Sequence, residues 1–151
     1  VKCQEDETGL YCGLVQLAHT YSKDEMYGDN YGYRSGLNAS MVKHLTHKIH
    51  SLEKLVTLSS NDLVIDIGSN DATSLKAYVS QCRKVGIDPT GIKFKDYYTD
   101  AIKLIPDFFS ESVFRKFFPN ENAKIITSIA MFYDLENPSA FVNDIFNCLV
   151  I

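Results

Sequence analysis

No stretch of this sequence stays apolar for anything near 18 residues, so no segment is expected to cross a membrane as a helix. Positive charge is scarce too. Fifteen Lys and Arg stand against nineteen Asp and Glu, a formal net charge of −4 at pH 7, with no basic stripe. Nucleic acid is therefore not an electrostatically favoured partner. Cysteine is thin: Cys3, Cys12, Cys82 and Cys148 form no dense disulfide framework, and a reducing cytoplasm is the expected compartment. Repeats and low-complexity tracts are missing, and the visible start carries no signal peptide. The first residue is Val1 rather than Met, and Leu149-Val150-Ile151 reads as a helix end or as a strand that never develops. The expectation is a piece of a longer protein.

What is there fits one domain with a core. The chain has 151 residues, 45% hydrophobic and 23% charged. One stretch organises it. Leu63-Val64-Ile65-Asp66-Ile67 runs into Gly68-Ser69-Asn70-Asp71 and then into a helical pattern. The apolar run reads as a strand buried on both faces. Gly68 permits a sharp turn and close approach of a ligand, and Asn70 or Asp71 can cap the next helix. This is the ligand-binding corner of a Rossmann-like sheet. Val85-Gly86-Ile87-Asp88 reads as a second strand ending in a carboxylate twenty positions after Gly68. Such a residue accepts ribose hydroxyls of a nicotinamide dinucleotide or of S-adenosylmethionine (SAM). Asn70 and Thr73 stand where a dinucleotide fingerprint has its second and third glycines. A cofactor without phosphates tolerates those losses, which favours SAM. A corner without any ligand is the bland alternative.

Taken in order, residues 1–20 hold Cys3 and Cys12, with Cys12-Gly13 ahead of Leu14-Val15-Gln16-Leu17. A Cys-Gly step suits a zinc knuckle, but eight residues separate the two cysteines, so unrelated thiols are the competing reading. Residues 21–57 pair a tyrosine- and glycine-rich loop with an amphipathic helix over 38–57. The loop is either a pocket lid or packing on the core. Asn38 caps the helix, and Met41, Leu45, Ile49, Leu52, Leu55 and Val56 share its apolar face. His44, His47 and His50 read as its solvated flank. Residues 58–151 alternate strand and helix, as in a parallel sheet with crossover helices. The pattern places strands at 63–67, 84–88 and 124–128, with Phe108-Phe109-Ser110 ending a short third strand or an extended edge. Helices are expected over 71–81, 95–104 and 111–117, with a last one opening at Asn137-Pro138.

In such a sheet ligands bind where the carboxyl ends of the strands meet. Asp66, Gly68, Ser69, Asn70 and Asp71 arrive there from the first strand. Asp88 and Pro89 arrive from the second, Phe109 and Ser110 from the third. Ser128, Met131 and Phe132 arrive from the fourth. Each suits a part of SAM: Gly68 beneath the methionine and ribose, Asp88 on the ribose hydroxyls, and Phe109 with Ser110 at the adenine. The Ser128 carbonyl, Met131 and Phe132 would frame the sulfonium.

Ile65-Asp66-Ile67-Gly68-Ser69-Asn70-Asp71 resembles the SAM-dependent C-methyltransferases of nucleotide-linked deoxysugars. Cys12-Gly13-Leu14-Val15-Gln16-Leu17 and Tyr31-Gly32-Tyr33-Arg34-Ser35-Gly36 add to the resemblance. It implies an α/β fold: a class I methyltransferase sheet, here truncated, of strand order 3-2-1-4, with an N-terminal helical and loop extension. It implies SAM as cofactor, a sugar nucleotide as substrate, and Tyr33 as a catalytic residue. It also implies a zinc-binding domain upstream, to which Cys3 and Cys12 would supply at most half a site. The family has glycine where Ala72 stands, and its His-Glu-His segment lies beyond a fifth strand, past Ile151. The rival readings are a nicotinamide-dependent oxidoreductase and a non-catalytic SAM-binding module.

Overall fold

β-Branched and leucine side chains pointing to both faces make Leu63–Ile67 a central strand. In the computed structural model this strand, β1, is buried along its whole length. The structure describes residues 31–150 and, ahead of them, residues 2, 7–9, 13–15, 18–19 and 21–27. Cys3 and Cys12 lie outside the described residues. β2 (Arg83–Ile87) and β4 (Ile125–Ser128) flank β1, and β3 (Ile102–Ile105) lies beyond β2. All four strands run parallel in the order β3-β2-β1-β4, the 3-2-1-4 order expected from the sequence.

The two-residue period of β1 feeds two cores. Leu63, Ile65 and Ile67 pack with Val85, Ile87, Phe114 and Phe141 on one face. Phe114 and Phe141 come from the helices covering that face, Glu111–Phe117 and Pro138–Cys148. Val64 packs with Ile49, Leu75 and Tyr78 on the other. The helices ahead of these are α1 (Lys23–Met26), α2 (Ala39–Glu53) and α3 (Thr73–Lys76); the two on the first face are α4 and α5. Burying each large apolar side chain stabilises the fold by about 1.5–3 kcal/mol.

α2 begins as expected. The Asn38 side chain accepts from the Ser40 and Met41 amides at 2.9 and 3.4 Å. It buries Leu45 and Ile49, and Leu52 packs beside them. It ends at Glu53 rather than 57, which leaves Leu55 80% exposed instead of on the apolar face.

Other expectations are corrected as well. The helix expected over 71–81 is one turn, Thr73–Lys76. Side chains of α2 take over the backbone groups that a longer helix would pair: Glu53 accepts from the amides of Val79 and Ser80, and His50 Nε2 bonds the Ala77 carbonyl at 3.1 Å. His50 is thus a tertiary partner rather than a solvated flank. The helix expected over 95–104 is instead a 3-10 segment, Pro89–Tyr97, followed by β3. Residues 108–110 form no strand. Pro106 offers no N–H to a ladder and stops β3 at Ile105.

Candidate functional site

Three strand ends form the floor. Gly68 leaves β1 with φ +69°, a left-handed conformation that favours glycine, and its amide donates to Ile87 O at 2.9 Å. Met131, from the turn after β4, lies over it: a Cβ on Gly68 would stand 3.5 Å from Met131 Cγ. Asn70 and Ala72 follow with φ 53° and 60°. The Tyr98 phenol pins this loop from below, donating to Asn70 O at 2.9 Å and sharing a 2.7 Å bond with the Ser69 hydroxyl.

Asp88 ends β2 as a fully engaged carboxylate. Oδ1 accepts from the Thr90 amide and hydroxyl, both at 2.7 Å, and Oδ2 accepts from the Asn70 amide at 2.7 Å. It thereby ties the β1 loop to β2, and of its four acceptor positions only one, on Oδ2, is left for a further donor. Asp66, one residue pair down the sheet, is 3% exposed and accepts from Thr127 Oγ1 at 2.6 Å. Burial pushes its carboxyl up to about 7, against the pull of hydrogen bonds from Thr127 and Ser74.

Asn70 and Asp71 bring the tyrosine-rich segment over the floor. Asn70 Oδ1 accepts from the Ser35 amide at 3.0 Å, and its Nδ2 donates to Tyr33 O at 3.0 Å. Asp71 Oδ2 accepts from the Gly36 amide at 2.9 Å and faces Arg34 Nε at 3.6 Å. A Cβ on Gly36 would meet Asp71 Oδ2 at 2.5 Å, so the close approach needs glycine there. Arg34 stacks on the Tyr97 ring, 4.3 Å from its centroid. Farther out, the Tyr27 hydroxyl donates to Asp134 Oδ2 at 2.6 Å, bridging the segment to the turn after β4. Burial and this bond raise the Tyr27 phenol above its ordinary value; burial and nearby Asp88 raise Tyr31.

Between floor and segment lies a cavity of about 290 Å³. Its charge is lopsided. Asp66, Asp88 and Asp134 line it, with His44, and among the described residues no Lys or Arg does. A phosphate also lacks a helix end to bind: α3 is four residues long and follows a left-handed Ala72.

No family model matches the chain. It is 29% identical over 79 residues to C-methyltransferase NovU of Streptomyces niveus, a match covering 52% of this chain and 19% of NovU. The chain spans about a fifth of that relative's length. Among solved structures, it superposes on a chain from the complex between the Haloferax volcanii Trm112 methyltransferase activator and a methyltransferase. The TM-score is 0.54 at 17% identity, covering 76% of this chain and 52% of that one. The fold is that of the Rossmann-like methyltransferases. YjhP from E. coli aligns with a TM-score of 0.47 at 11% identity, covering 69% of this chain and 44% of its own.

Within this methyltransferase fold most of the expected site residues converge. Asp66, Gly68, Ser69, Asn70 and Asp88 line the cavity, as do Pro89, Phe109, Met131 and the half-exposed Tyr33. Four expected ones do not. Asp71 faces a neighbouring cleft and holds Gly36 and Arg34. Ser110 caps α4, its hydroxyl accepting from the Val113 amide at 3.2 Å. Phe132 turns outward against Phe141, 48% exposed, and the Ser128 hydroxyl is buried without a partner among the described residues. Tyr27, His44, Thr90 and Asp134 also line the cavity, although sequence reasoning singled out none of them as site residues. Only their neighbours hinted at them: a tyrosine-rich run, a helix face, and the ends of two strands. Among the described residues no group of three His, Cys, Asp or Glu could hold a metal, and no helix is long and apolar enough to cross a membrane.

Proposed function

We propose that this chain is the cofactor-binding part of a SAM-dependent methyltransferase. In this reading the methyl group goes to a carbon of a nucleotide-linked keto-deoxysugar. One observation carries the cofactor reading: among the described residues the carboxyl groups of Asp66, Asp88 and Asp134, and no Lys or Arg, line a cavity at the strand ends of a methyltransferase fold. SAM carries a sulfonium and an ammonium against a single carboxylate, so its net charge is positive. A dinucleotide would bring a diphosphate to an acidic cavity with no helix dipole to meet it. The partial likeness to NovU and the motifs shared with deoxysugar C-methyltransferases support carbon as the acceptor atom.

Bound SAM would supply an electrophilic methyl group. The remaining work belongs to the chain. The backbone at Gly68 would lie under the cofactor, and the one free lone pair of Asp88, on Oδ2, would take a ribose hydroxyl. Phe109 and Met131 would keep water from the apolar parts. The Tyr33 hydroxyl would hold or move a proton at the acceptor beside its ketone, where a carbanion must form. A zinc ion held in part by Cys3 and Cys12 in a longer parent belongs to the same proposal, and metal analysis of that protein checks it.

Calorimetry on the chain with SAM, its demethylated product S-adenosylhomocysteine, and NAD tests the cofactor reading. Binding of the first two and not of NAD is expected. NAD binding with neither of the others would replace the reading by an oxidoreductase.

A further inference from the structure

Three carboxylates face the cavity, and two are already engaged in the floor. Asp88 takes three protein donors. Asp66 is buried against Thr127 and Ser74. Asp134 differs. It sits at the end of a 3-10 turn, Phe132–Asp134, whose preceding residue, Met131, covers Gly68. Its Oδ2 is fixed by the Tyr27 hydroxyl at 2.6 Å. Its Oδ1 takes no protein donor among the described residues, and it is not sealed from the cavity. One carboxylate oxygen is thus held in place by a phenol from the far end of the chain, while the other is left open. Among the described residues no Lys or Arg lines the cavity to neutralise it.

We propose that Asp134, positioned by Tyr27, reads the charge of the ligand in this cavity. It makes the site prefer the sulfonium cofactor SAM to the uncharged thioether S-adenosylhomocysteine. The inference rests on the SAM reading and goes beyond it by naming the residue that tells cofactor from product. The two ligands share adenine, ribose and the amino acid group. They differ by one methyl group and one positive charge. The methyl contributes little contact area, so a preference between them is chiefly electrostatic. A carboxylate in a partly enclosed site of low effective dielectric feels that charge far more than one in water. Pinning by Tyr27 matters because a freely rotating carboxylate would turn to solvent and lose the distinction. Tyr27 is a positioning residue here, acting through Asp134.

The test is calorimetric titration of the whole chain with SAM and, separately, with S-adenosylhomocysteine. Wild-type protein is expected to hold SAM tighter by about tenfold, and the ratio should narrow as salt is raised. Asp134→Asn keeps the shape and can still accept from Tyr27. It should bring the ratio to about one while moving the product's affinity less than about twofold. Tyr27→Phe should lower the ratio part of the way. Thermal melting of each variant shows whether it is folded. Equal affinity of the wild-type protein for the two ligands overturns the inference without any variant. So does an unchanged ratio in folded Asp134→Asn; in both cases the SAM reading stands. Absence of binding by either ligand overturns both.

Discussion

Asp66 is a buried carboxyl whose chemistry departs far from its ordinary state. Its carboxyl titrates near 7 in the fold against 3.8 when exposed. A raised folded value means that the protonated form stabilises the fold. That stability is complete below about pH 3.8 and is lost as pH rises through about 7. Asp66→Asn, which never ionises, should flatten the fall of Tm between pH 5 and 8 and raise Tm at pH 8 by roughly 5 °C. An unchanged pH slope in calorimetric melts would contradict the assignment. Asp88 acts oppositely, as a knot. Asp88→Ala leaves two backbone amides and the Thr90 hydroxyl without their acceptor. It should weaken SAM binding by about 1–3 kcal/mol and, unlike a pure binding residue, also lower the unfolding free energy by a similar amount. Urea titration beside calorimetry separates the two effects. At Gly68 the left-handed φ of +69° is decisive. Gly68→Val strains the turn by roughly 1–3 kcal/mol and puts a branched side chain under the cofactor, so binding should vanish. Near-normal affinity would mean that the turn is not the floor.

Among the elements, the segment 31–37 depends on its tether. Asn70 and Asp71 hold it by three side-chain hydrogen bonds, to Tyr33 O and to the amides of Ser35 and Gly36. Asp71→Ala should speed hydrogen exchange at Gly36 by about tenfold or more while leaving β1 and β2 protected. Unchanged exchange at Gly36 would mean that the Asp71 bond does not hold the segment. These tethers explain what the sequence did and did not disclose. β1 was legible because five buried residues in a row end in a glycine. Alternation of strands and helices made a parallel sheet legible, and the family resemblance implied its strand order. Asn70 and Asp71 were legible as loop residues at a ligand corner, yet their partners lie 35 to 37 positions away, so their tethering role was not. α3 is short because Glu53 and His50 of another helix satisfy its exit, a tertiary cause that leaves no local trace. β3 was displaced because the Ile102-Lys103-Leu104-Ile105 run also fits a helix end, and only Pro106 marks where the strand stops.

The molecule as a whole gathers parts from distant stretches around one acidic cavity. Tyr27, Tyr33, Gly68, Asp88 and Asp134 span more than a hundred positions and line the same space. Tyr33 reaches it because its backbone is held by Asn70. In the complete protein Tyr33→Phe should lower turnover at least tenfold while SAM affinity and Tm barely move, the mark of a lost proton-transfer group. Wild-type turnover would make the ring a packing residue. The cavity itself is tested most directly by amide chemical shifts of the isotope-labelled chain during titration with S-adenosylhomocysteine. The largest changes should cluster at Gly68, Ser69, Asn70, Asp88 and Met131, with Lys76 and Tyr97 in the neighbouring cleft nearly still. Saturating ligand that leaves the Gly68 and Asp88 amides unmoved, or that shifts the neighbouring cleft instead, would contradict a cofactor site at these strand ends.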